Sequence, residues 1–290
     1  MPDPMEVVVR LDKVVKDFPA GWTGIKVRAL DHVDLEVRRG RVFGLLGPNG
    51  SGKSTAMKLM LGLMRPNSGS VEVFGAPAGN PASRARMGFL PEAPYFPGFL
   101  TGCEWVSYMG SLSGMRGKGL ASRVGEVLAM VDMEEAGRRP LGTYSKGMLQ
   151  RIGLAQALVH DPDLLILDEP TAGLDPMGTQ ATGDLVRRLK DEGKTVIFCS
   201  HLLAHVESIC DDIALLHRGH LLVAGALDEL LTDETTRLLN VSGWRPELEP
   251  ELAAWLSTHG ATLKGEAGLR QRLDDFFLRR VRMAGEEAAR

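Results

Sequence analysis

An α/β fold on a mostly parallel core sheet is what this sequence predicts, with an antiparallel β portion at the N-terminus, an inserted helical subdomain and a small C-terminal appendage. Three observations carry that expectation. Apolar strand-like runs alternate with segments of helical period along most of the chain. One run, DLLILDE, is apolar without alternation, as suits a strand buried on both faces of a parallel sheet. Another, RVFGLL, leads through a glycine-rich turn directly into a helical pattern.

Taken in order, MEVVVRL, ALDHVDLEV and RVFGLL are β-branched and apolar runs bounded by turns, and read as strands. KSTAMKLMLGLM then sets Met57, Met60, Leu61 and Met64 at helical spacing. Residues 76 to 140 change character, being rich in Gly, Pro, Ser and Met, and the stretches CEWVSYMGSL and RVGEVLAMVDM predict helices. The helical subdomain is therefore expected over about residues 93–160. Within it KGMLQRIGLAQALVH aligns Met148, Ile152, Ala155 and Val159 on one face. After DLLILDE come a helix (GDLVRRLKDEG), a strand (TVIFCS) and a strand pair (DIALLHRGHLLVAG). Past residue 236 the regularity fades, so the chain divides into residues 1–236 and an appendage, 237–290. The appendage's apolar cluster, Leu273, Phe276, Phe277 and Leu278, points to a regulatory or dimer-supporting role.

The 290 residues are ample for a buried core, and 34 basic against 37 acidic residues leave a net charge of −3. That balance argues against nucleic acid as the main partner. Cys103, Cys199 and Cys210 form no C-x-x-C pair, which fits a reducing compartment. MPDPMEVVVR lacks the apolar core of a signal peptide, and no apolar run approaches the ~20 residues that cross a bilayer. Any membrane role would need a second chain to span.

GPNGSGKS fits G-x-x-x-x-G-K-[ST] between a strand and a helix, the context that a nucleotide phosphate loop requires. Gly47, Pro48, Asn49, Gly50, Ser51, Gly52, Lys53, Ser54 and Thr55 are the candidate cradle. Its glycines let backbone N–H groups turn toward phosphate oxygens, and the helix N-terminus adds partial positive charge. Lys53 is placed to reach the β- and γ-phosphates of ATP, and the Ser54 hydroxyl to bind Mg²⁺. LLILDEP ends its strand with Asp168 and Glu169. Beside a phosphate loop, at the carboxyl edge of a parallel sheet, the first can hold Mg²⁺ and the second can take a proton from water.

Six motifs in order, GPNGSGKST, GFLPE, YSKGMLQR, LLILDEP, TAGLD and CSH, closely resemble the nucleotide-binding subunit of ATP-binding cassette (ABC) transporters over roughly residues 5 to 235. The resemblance implies a P-loop ATPase of ABC type in which two subunits sandwich two ATP molecules head to tail. Ser145 and Gly147 then occupy the signature motif that binds the γ-phosphate of ATP held by a partner, and Asp175 sits between the two sites. His201 matches the switch histidine that contacts the γ-phosphate. Phe18 lies where the family places an aromatic on adenine, with Trp22 as a competing candidate.

The chain departs from the usual pattern at Lys146 and Met148, which replace Gly and Gln of the signature, and at Glu92, which stands where Gln is usual. The YSKGM form with Glu92 resembles cassettes serving exporters with separately encoded membrane subunits. The expected catalytic set is Glu169, His201, Lys53, Glu92 and Asp175, with Ser54, Asp168 and Glu92 at the metal. The expected partners are an integral membrane permease and a second copy of the chain or a homologous ATPase, at the inner face of the cell membrane. The alternative is a soluble ABC ATPase serving protein assembly or repair. A P-loop kinase is disfavoured by the signature and GLD. The loop PEAPYFPGF, with Tyr95, Phe96 and Phe99, reads either as core-anchored or as a docking surface for the permease.

Overall fold

A computed structural model of the chain describes residues 6–20, 25–200, 203–232, 243, 245–263 and 273–287. The first elements are β1 (Val7–Ala20), β2 (Ile25–Arg38), β3 (Val42–Leu46), α1 (Lys53–Met60), β4 (Ser68–Val73), β5 (Ala76–Pro77), α2 (Pro81–Arg84) and β6 (Met87–Leu90). Then come α3 (Gly102–Leu112), α4 (Gly117–Met130), α5 (Lys146–Leu158), β7 (Leu164–Asp168), α6 (Pro176–Asp191) and β8 (Thr195–Cys199). The chain continues through α7 (Leu203–Ile209), β9 (Asp212–His217), β10 (His220–Ala226), α8 (Leu227–Leu231), α9 (Leu248–Thr258) and α10 (Leu273–Glu287).

Strands β2, β1, β4 and β5 form an antiparallel sheet. A six-stranded sheet runs β10-β9-β3-β8-β7-β6, parallel throughout except for the edge hairpin of β9 and β10. Its two faces are covered differently. Along β7, Leu164 and Ile166 belong to a core shared with α1 and the antiparallel sheet, whereas Leu165 and Leu167 belong to one shared with α5, α6 and α7. Successive side chains point to opposite faces, so a strand covered on both sides has no polar positions to alternate.

The change of character at residue 76 does not mark the start of the helical subdomain. β5 completes the antiparallel sheet and β6 pairs in parallel with β7. The helices α3, α4 and α5, with two short 3-10 turns at Ala136–Arg138 and Leu141–Thr143, fall between β6 and β7. β6 is the four-residue run MGFL, too short to show a period, and its glycine has a packing reason: a Cβ on Gly88 would lie 2.2 Å from the Ala157 carbonyl oxygen of α5. Helix α3 begins in a reciprocal cap, with the Glu104 N–H donating to Thr101 Oγ1 and the Thr101 N–H donating to the Glu104 carboxylate. Helix α1 is shorter than its apolar spacing, because the chain turns at Gly62 with φ +64°.

The appendage carries regular structure, α9 and α10, where the regularity of the sequence is expected to fade. Leu273 and Phe276 of α10 are buried in the core beside α7, and the Leu273 N–H donates to Glu207 Oε2 at 3.1 Å. Phe277 packs partly buried against the same cluster, while Leu278 is exposed. Phe276→Ala is therefore expected to cost about 3 kcal/mol, the usual range for a buried Phe. A lowered denaturant midpoint checks this; an unchanged midpoint would show that α10 does not dock in solution.

Candidate active site

Strands β3, β6, β7 and β8 run parallel, so their carboxyl ends open on one edge. That edge is where open α/β sheets bind ligands. The phosphate loop follows β3, Glu92 follows β6, Asp168 ends β7, and Ser200 follows β8. His201, the next residue, lies outside the described residues, as does Trp22.

The loop's shape depends on glycine at two points. Gly47 has φ +149°, and a Cβ there would lie 2.3 Å from the Leu216 carbonyl oxygen; Gly52 has φ +109°, with the Ala29 carbonyl oxygen at 2.5 Å. Pro48, Asn49 and Gly50 form its exposed crest, Ser54 is exposed and Thr55 half-buried. Lys53 Nζ donates to the carbonyl oxygens of Gly47, at 2.6 Å, and Pro48, at 3.2 Å, so the ammonium lies across the loop. Helix α1 begins with neither a side-chain cap nor an acid in its first turn. Its first N–H groups are left to a ligand or to water, as an anion-binding helix start requires.

Opposite this positive end stand the carboxylates. Asp168 is half-buried, and burial, followed by the nearby charges of Glu92 and Glu169, pushes its pKa up to about 6, with Lys53 pulling the other way. Three acids thus stand within reach of Lys53 and Lys58. Among the described residues no three His, Cys, Asp or Glu side chains form a self-sufficient cation site. That donor set suits Mg²⁺, which takes one or two carboxylates and completes its shell with phosphate oxygens and water. A half-buried carboxylate, Asp168, and an exposed hydroxyl, Ser54, are of the donor types that Mg²⁺ beside nucleotide phosphates takes.

Glu169 has an unusual backbone. Its φ is +50°, a left-handed conformation that costs a residue with a Cβ roughly 1–2 kcal/mol. Its N–H donates to the Cys199 carbonyl of β8 at 2.9 Å, and its carbonyl oxygen accepts from the Ala172 N–H at 3.0 Å and from Gln150 Nε2 at 3.3 Å. Gln150, buried on α5, went unnoticed in the sequence, where a glutamine within a helix carries no signal.

A second group of candidates lies apart from the first. Ser145 caps α5, its Oγ accepting from the Met148 N–H at 3.3 Å. Asp175 caps α6, its Oδ1 accepting from the Gly178 N–H at 2.7 Å, a structural use that the motif alone did not reveal. Ser145, Lys146, Gly147, Gly173, Leu174 and Asp175 line one open cleft of about 530 Å³, and no phosphate-loop residue borders it. Lys146 stretches over Gly173, where a Cβ would meet its Cδ at 2.7 Å and Nζ at 2.8 Å. Its charge thus stands where the usual signature has only a glycine.

Phe18 faces Val27 across the β1–β2 ladder and is half-buried, with Lys16 Nζ 5.4 Å from the ring centroid. Two residues further along β2, the Ala29 carbonyl oxygen abuts Gly52. Phe18 therefore stands on the strand pair that walls the phosphate loop.

A family model described as ABC transporter matches residues 30–172. An uncharacterized ABC transporter ATP-binding protein of Synechocystis is 38% identical over an alignment covering 96% of this chain and 86% of the relative. The chain belongs to the ABC transporter family. Within that family, a bacitracin transport ATP-binding protein of Enterococcus faecalis is 38% identical over 78% of this chain and 71% of its own length. A dimeric ATP-binding cassette solved in a post-hydrolysis state with ADP and Pi superposes with a TM-score of 0.70 at 26% identity, over 76% of this chain and 98% of the other. This ABC protein is an ATPase with the mixed sheet architecture of those cassettes.

Proposed function

We propose that this ABC ATPase is the energy-coupling subunit of a transporter, dimerising on Mg·ATP and driving a separately encoded membrane permease, for export. The convergence of Lys53, Asp168, Glu169 and Glu92 on one phosphate loop carries the reading of the chemistry. Glu169 accepts a proton from the attacking water as its oxygen bonds to the γ-phosphorus and the bond to the β–γ bridging oxygen breaks, releasing ADP. Lys53 balances γ-phosphate charge, with His201 joining it by resemblance. Mg²⁺, when bound, neutralises charge on the β- and γ-oxygens. Phe18 stacks on adenine.

The separation of the Ser145 cleft from the phosphate loop supports a site shared between two copies, with Ser145 and Gly147 of one meeting ATP on the other and Asp175 lying between them. The loop after Glu92 supports a permease contact. Phe96 anchors it edge-on to Trp105 with centroids 5.8 Å apart, while Tyr95 and Phe99 are 89% and 83% exposed. Exposed aromatics held on an anchored loop suit a partner surface. Export rests on the YSKGM form with Glu92, and transport is supported by the bacitracin transport relative. Among the described residues no helix is long and apolar enough to cross a membrane, and this reading assigns the crossing to a second chain. Purifying the tagged chain from detergent-solubilised membranes is expected to recover an integral membrane protein with it. Recovery of soluble assembly or repair proteins instead would overturn the transport reading.

Glu92 offers a narrower test. A carboxylate binds Mg²⁺ more strongly than an amide oxygen, but repels phosphate when the metal is absent. Glu92→Gln is expected to keep turnover within about tenfold, raise the Mg²⁺ needed for half-maximal activity and improve metal-free nucleotide binding. Titrating Mg²⁺ at fixed ATP decides; an unchanged requirement would place Glu92 away from the metal.

A further inference from the structure

Gln150 is a polar side chain with no role in the chemistry above, yet it is only 2% exposed. Its amide Nε2 donates to the main-chain carbonyl of Glu169 at 3.3 Å. Burying an amide is favourable only if it is hydrogen-bonded, and this bond reaches the one acidic residue of the site whose backbone is left-handed. The Cys199 carbonyl and the Ala172 N–H also hold Glu169, and both are main-chain groups that any sequence supplies. Gln150 reaches it with a side chain, from α5. Rotation of the Glu169 peptide would swing its carboxylate and would also break this bond.

We infer that Gln150 is a positioning residue for hydrolysis, fixing the Glu169 main chain so that the carboxylate faces the phosphate loop. The inference rests on the proposed role of Glu169 as proton acceptor. It also gives α5 a second use: the helix that begins at Ser145, proposed to meet a partner's nucleotide, is tied by Gln150 to the residue that activates water on its own chain's nucleotide.

The test compares the full chain with Gln150→Met, which keeps the length but has no donor, alone and combined with Glu169→Gln. Gln150→Met is expected to lower kcat about tenfold, with KM and the affinity for a fluorescent ATP analogue within about twofold, because ground-state binding does not use Glu169. In the Glu169→Gln background it should produce no further loss of the residual rate, since both changes act through one group. An unchanged kcat in Gln150→Met, or an equal loss in both backgrounds, overturns the inference and leaves Gln150 a packing residue. If Glu169→Gln itself turns over normally, the proton-acceptor reading falls and this one with it, a result separable from a silent Gln150→Met. Should the methionine variant fail to fold by thermal melting, Gln150→Glu, of the same outline but with no donor when ionised, replaces it under the same criteria.

Discussion

Glu169→Gln is expected to lower ATP turnover by on the order of 10²-fold or more while nucleotide binding stays intact. The amide has the shape of the carboxylate but cannot accept a proton from water, so the loss falls on the transition state alone. The binding elements are elsewhere, in the glycine turns, in Lys53 lying across the loop and in the uncapped start of α1. Nothing in the substitution disturbs them. The variant should therefore accumulate as an ATP-bound dimer, seen as a doubled mass on size exclusion with Mg·ATP. Turnover near the wild-type rate would remove Glu169 from the role of general base.

Lys53→Ala and Ser145→Arg are each expected to abolish activity in a homodimer, and mixing them to restore part of it. Lys53→Ala removes the cation of the phosphate loop. Ser145→Arg removes the cap of α5, a loss of about 1 kcal/mol, and drives a long side chain into the cleft that a partner's phosphate is proposed to enter. A heterodimer of the two then has one site carrying both lesions and one carrying neither. Activity measured on an affinity-purified heterodimer decides the matter. A dead heterodimer would show either that the site is complete within one chain or that both sites must fire together.

How much of this was legible beforehand depends on the range of the physics. Strands β3, β7 and β8 were readable because burial on both faces makes them continuous apolar runs, and α5 because its buried face repeats with helical period. β6 was not readable, since four residues containing a glycine show neither pattern. Helix α9 is a different case: Leu248, Leu252, Trp255 and Leu256 stand at helical spacing, yet none of its residues is buried, so no core packing accompanies the pattern. In the site, the phosphate loop announced itself, whereas Gln150 did not, because its partner is a main-chain carbonyl and that leaves no trace in residue type.

The sequence by itself determined the phosphate loop, the acidic end of β7 and the order of motifs that marks the family. Each is a local requirement: anion binding at a helix start demands particular residue types at fixed spacing along a few consecutive positions. Only the tertiary structure decided that burial, with Glu92 and Glu169 close by, pushes Asp168 up to about 6, and that Gln150 clamps the Glu169 peptide. It alone separated the Ser145 cleft from the phosphate loop and docked α10 on α7. Those arrangements follow from the parallel order of the core strands, which brings distant loops to one edge, and from burial, which strengthens charge interactions that water would otherwise screen.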